Sequence, residues 1–158
     1  MSHFLYERDH PCYHEKSQEF PSVNTLAMDM IHRQYGVCDT GLILLHKKIE
    51  YYQIPTVLIL RDYKEVWEEL ENLKIPLTDR MKRGYLEAID SYPGVVIPFK
   101  ELQTKDGVRQ LCTHISVPFD EVKYEEFKDT QIQPFVPPMV ARVKKNLQFC
   151  KELYKDFI

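Results

Sequence analysis

A change of period between residues 60 and 63 constrains this chain more than any other feature. Val57, Leu58, Ile59 and Leu60, with Thr56 ahead of them, form an uninterrupted apolar run of strand length. Such a run fits a strand buried on both faces in a parallel sheet. It stops at Arg61-Asp62. Beyond it Val66, Trp67, Leu70 and Leu73 recur at helical spacing, with Glu65, Glu68, Glu69 and Asn72 on the other side. Asp62 is placed as the N-cap and Glu65, three residues on, as its capping-box partner. An arginine thus stands at the carboxyl end of a strand, beside the start of a helix. Open α/β sheets bind ligands at such ends, and helix N-termini favour anions. The plainer alternative is that Arg61 pairs with a carboxylate at the sheet edge.

The same alternation runs through the rest of the chain. Leu26, Met30 and Ile31 make the stripe of a helix from Ser22 to Tyr35, closed by Gly36. Asp39 or Thr40 caps a helix carrying Leu42, Leu45, Ile49 and Tyr52. Met81, Tyr85, Ala88 and Ile89 line another, from Thr78 to about Ser91. After the Pro93-Gly94 turn, Val95 to Ile97 is a second short buried strand. Helices follow over 106–115 and, capped by Asp120, over 121–128; the last and most regular runs from Met139 to Phe157. Residues 129–138 hold three prolines and no regular element. If the His10–His14 stretch is extended, His10, Cys12 and His14 share one face. Strands alternating with helices define an α/β layered domain, and 158 residues fit a single domain over 1–158.

Composition narrows the functions. The net charge is −3, with the basic residues scattered except for Arg142-Val-Lys144-Lys145 near the end, so neither nucleic acid nor an acidic membrane is an expected partner. No apolar run approaches the roughly 20 residues that span a bilayer, and Met1 to Arg8 lacks a signal-peptide core. Cys12, Cys38, Cys112 and Cys150 are far apart, with no Cys-x-x-Cys, which suits a reduced, cytoplasmic protein. Five glycines and no Gly-x-x-x-x-Gly-Lys-Ser/Thr exclude a Gly-rich phosphate cradle. His10, Cys12 and His14 could begin a zinc site, but no fourth ligand is evident in the sequence, so no metal is expected.

Four segments in order carry a resemblance to a known superfamily: Cys12-Tyr-His14-Glu15, Gly36-Val-Cys-Asp39-Thr-Gly41, Leu58-Ile-Leu-Arg61-Asp62 with Glu65-Val66 and Leu70, and Val95 to Leu102 followed by Leu111 to Asp120. Over roughly residues 10 to 135 the chain resembles the P-loop sulfotransferase-like superfamily, closest to its small bacterial and phage versions. The resemblance implies that Gly36 to Gly41 begins a long helix. It implies a P-loop-like layered domain with a small, mostly parallel sheet flanked by helices. The family's first strand, phosphosulfate-binding loop and most of its first helix would precede Met1, so the expected domain is truncated at its N-terminus. A second copy of the chain, or residues 2–7 inserted as a strand, would cover the resulting gap.

The activity it implies is sulfuryl transfer from PAPS to a hydroxyl-bearing acceptor. Arg61 matches the arginine that binds the 3′-phosphate of PAPS, a role suited to a permanently charged bidentate fork. Glu15 matches the glutamate that accepts the acceptor's proton. Two positions depart from the pattern: Tyr63 replaces a proline, and Glu69 replaces a phosphate-binding serine and would repel the anion. The other class compatible with the same residues is a catalytically inactive, phage-encoded binding or assembly protein, with a homo-oligomer or another protein as partner.

Overall fold

Short apolar runs and amphipathic stretches alternate in the structure much as they do in the sequence. The computed structural model describes residues 11–14, 16–39, 41–75, 77–129, 141, 144 and 145. Among these residues the chain forms, in order, β1 (Cys12–His14), α1 (Val23–Arg33), β2 (Gly36–Cys38), α2 (His46–Glu50), β3 (Val57–Leu60), α3 (Tyr63–Asn72), α4 (Asp79–Asp90), β4 (Val95–Pro98), α5 (Lys105–His114) and α6 (Glu121–Phe127). The protein is therefore mixed α/β, with two parallel two-stranded sheets, β1–β2 and β3–β4. The expected helix Met139–Phe157 lies outside the described residues except for Ala141, Lys144 and Lys145, which are helical.

Two compact units divide the chain. The first takes residues up to Ile54 together with Asp79–Asp90; the second takes Pro55–Thr78 and residues 91–129. In the first unit, Ser22 caps α1 by a reciprocal box: its hydroxyl accepts from the Thr25 amide at 3.2 Å, and its own amide donates to the Thr25 hydroxyl at 3.1 Å. Val23, Leu26 and Ala27 are buried, whereas Ile31, expected on the same stripe, is 49% exposed. The helix ends earlier than expected, at Gln34, which takes the left-handed conformation at φ 53°. Gly36 is consequently not a helix stop or the start of a helix. Its amide donates to the Pro11 carbonyl at 2.9 Å and opens β2, which pairs with β1 in the register Cys12–Gly36, Tyr13–Val37 and His14–Cys38.

Asp39 caps no α-helix either. Its carboxylate accepts from the Gly41 amide at 3.0 Å and the Ser17 amide at 3.3 Å, and Leu42–Leu45 forms a 3₁₀ turn before α2. That turn drives Leu44 and Leu45 into a cluster with Val23, Ile49 and Ala88, with Tyr85 packed against it. With about three residues per turn, Leu42 and Leu45 lie on the same side.

In the second unit β3 pairs with β4 from Val57–Val95 to Leu60–Pro98, and the Phe99 amide extends the ladder to the Leu60 carbonyl at 2.8 Å. The expectation of a strand buried on both faces is met only in part. All four residues of β3 are half-buried, because among the described residues β3 has one partner strand. Full burial falls to Ile97 of β4, at 0% exposure. Val108, Leu111 and Cys112 of α5 are buried, and Gly107 lets that helix pass Glu101 closely: a Cβ there would lie 2.0 Å from the Glu101 carbonyl oxygen. Thr104 and Asp120 cap α5 and α6 through the amides of Gly107 and Lys123. None of the described helices is long and apolar enough to cross a membrane.

Candidate functional site

Arg61 leaves β3 one residue after the ladder ends, so the strand fixes its backbone and α3 begins two residues later. Asp62 caps α3 as expected, its carboxylate accepting from the Lys64 amide at 2.8 Å. Glu65 and Glu69 stand four and eight residues beyond Arg61, one and two turns up the same side of α3. Both turn back to the arginine. The Arg61 Nη1 donates to Glu69 Oε2 at 2.9 Å, and Nη2 lies 4.0 Å from Glu65 Oε2. Below the guanidinium is the ring of Phe99, its centroid 5.2 Å from Cζ. Phe99 directly follows β4, so the arginine is held over the carboxyl ends of both strands.

At this junction the guanidinium is met by carboxylates of its own helix. The guanidinium meets two carboxylates along the flank of the helix, Glu69 in hydrogen-bond contact and Glu65 at 4.0 Å, while Asp62 caps the helix N-terminus. The side chains of Arg61 and Glu69 are 39% and 38% exposed, so water screens the pair and its worth is at most about 1 kcal/mol. A phosphate brought to Arg61 would compete with Glu69 for the guanidinium and be repelled by Glu69 and Glu65, with water screening both effects. The helix N-terminus offers no relief, because Asp62 already occupies it. The structure places Arg61 against the Glu69 carboxylate.

Glu15, the expected proton acceptor, lies outside the described residues, immediately after β1. Among the described residues no group of three His, Cys, Asp or Glu side chains is gathered closely enough to hold a metal ion. Two polar arrangements are absent from the sequence reading. At the amino end of β3, Thr56 joins Tyr92 and His114: the Tyr92 hydroxyl donates to Thr56 Oγ1 at 2.8 Å, and His114 Nε2 donates to the Thr56 carbonyl at 3.1 Å. Burial pushes the Tyr92 phenol up despite that bond. In the first unit, Lys16 puts its ammonium 4.0 Å from the Tyr13 ring and 4.4 Å from the Tyr35 ring, which meet edge to face at 5.2 Å. The alternation of His10, Cys12 and His14 in the sequence allowed for β1, but nothing in it marked β2.

No family model, no curated protein and no solved structure matches this chain.

Proposed function

We propose that this chain is a sulfotransferase-like binding or assembly protein that does not transfer sulfuryl groups. The observation that carries the reading is the 2.9 Å pairing of Arg61 with Glu69, at the position where a phosphate-binding serine would be expected. A PAPS 3′-phosphate would have to expel the Glu69 carboxylate from the guanidinium and remain near Glu65. Its partner in this reading is a second copy of the chain or another protein. Calorimetry with 3′-phosphoadenosine-5′-phosphate tests it. No saturable heat is expected at high micromolar ligand, from the parent or from Arg61→Ala. Saturable heat from the parent that Arg61→Ala abolishes rejects the proposal.

One observation favours the enzyme reading. Arg61 stands at the carboxyl end of a parallel strand, beside a helix start, where α/β folds bind phosphate groups. In that reading the chain moves a sulfuryl group from PAPS to a hydroxyl-bearing acceptor, with Arg61 on the 3′-phosphate and Glu15 as the base. Transfer of labelled sulfate from PAPS that is lost in both Arg61→Ala and Glu15→Gln supports it over the first reading.

A further inference from the structure

Pairing of β1 with β2 places two thiols on one face of the first unit's sheet. Partnered residues of a parallel ladder point to the same side, and alternate residues share a face. The register Cys12–Gly36 and His14–Cys38 therefore puts Cys12, His14 and Cys38 on one side and Tyr13 and Val37 on the other. Gly36, directly opposite Cys12 and two residues before Cys38, adds no side chain to that face, where a Cβ would sit 3.7 Å from the Cys12 sulfur. Neither Cys12 nor Cys38 is in a disulfide.

The diagonal spacing decides what such a pair can do. Strands about 4.8 Å apart and an offset of two residues, about 6.6 Å, put the two α-carbons about 8 Å apart. That exceeds the roughly 7 Å a disulfide bridges without backbone movement. Two metal–sulfur bonds of about 2.3 Å each lengthen the reach by the amount a disulfide lacks. We propose that Cys12 and Cys38 form a two-coordinate site for a soft, thiophilic cation of the Cu(I) class. Thiolates select such ions, and two suffice where three ligands are not gathered. Two Cu–S bonds form, two S–H bonds break with their protons passing to solvent, and the copper stays monovalent.

Anaerobic titration with Cu(I) against a bathocuproine disulfonate competitor tests the site in the full chain. One Cu(I) per chain is expected to leave the competitor. Cys12→Ser and Cys38→Ser are each expected to weaken binding at least about 100-fold, the upper range already seen for lesser changes around metal sites. Cys112→Ser, buried in the other unit, is expected to change nothing. A parent that does not compete, or a Cys12→Ser/Cys38→Ser double variant that binds as well as the parent, overturns the proposal. Should the serine variants lose their folded circular dichroism, alkylation of the parent with and without Cu(I), mapped by mass spectrometry, decides. Protection confined to Cys12 and Cys38 supports the site, and protection at Cys150 or at neither cysteine overturns it.

Discussion

β1–β2 and β3–β4 are both two-stranded parallel ladders, yet one is written Cys-Tyr-His and Gly-Val-Cys and the other Val-Leu-Ile-Leu and Val-Val-Ile-Pro. The second ladder is held by its apolar side chains, above all by Ile97. In the first, all three residues of β2 and two of the three in β1 are only half-buried. None of its residues belongs to the first unit's buried cluster of Val23, Leu44, Leu45, Ile49 and Ala88. The chemistry follows the same division. The apolar ladder ends in charge, with Arg61 bound to Glu69, whereas the polar ladder carries thiols on one face and Tyr13 on the other. A strand that supplies the core has its ends left for polar groups; a strand outside the buried cluster has its faces as well.

This contrast can be broken most sharply at Ile97. Ile97→Ala removes a fully buried side chain and is expected to cost about 3 kcal/mol in urea denaturation, within the range for such core truncations. Val37→Ala, its half-buried counterpart in β2, is expected to cost about 1 kcal/mol or less. Equal costs would mean that the two ladders are stabilised alike. Gly107→Ala comes next. A methyl group 2.0 Å from the Glu101 carbonyl oxygen meets backbone, not a flexible side-chain end, so a loss of about 1–3 kcal/mol is expected. A Gly107→Ala chain with an unchanged urea midpoint contradicts the close passage of α5.

Alkaline titration probes the first ladder's thiol. Cys12 is pushed up to about 11, and burial also raises Tyr35, Tyr92 and Cys112. A raised folded-state value means that folding favours the neutral form. The stability gained is complete below about pH 9, the unfolded value for a thiol, and is lost as pH climbs towards 11. The urea midpoint is therefore expected to fall over that window, and Cys12→Ser to flatten part of the fall. A midpoint constant from pH 8 to 11 contradicts it. Smaller still is Lys16→Met, which keeps the stem and removes the charge from between Tyr13 and Tyr35. A loss of about 0.5–1 kcal/mol is expected, and none at all would reduce the contact to packing.

The second unit was largely legible in the sequence, because its signals are local. The apolar run before Arg61, the helical stripe after it, and the caps Asp62 and Asp120 each fix an element from neighbouring residues. β2 was not legible. Gly36-Val-Cys reads as a helix end in isolation and becomes a strand only through pairing with residues more than twenty positions earlier. The Arg61 junction was half legible. Its spacing to Glu65 and Glu69 follows from helical geometry, but whether the guanidinium waits for an anion or takes a carboxylate depends on side-chain placement that periodicity does not encode.

Glu69→Ser tests that placement most directly. It removes the carboxylate at 2.9 Å and puts a hydroxyl in its place, eight residues after the arginine. If Arg61 is held by its own helix, calorimetry with 3′-phosphoadenosine-5′-phosphate should show no binding to the parent and saturable binding to Glu69→Ser, lost again in Glu69→Ser/Arg61→Ala. Binding to the parent as tight as to Glu69→Ser would contradict the account, because Glu69 would then not be what keeps the phosphate out.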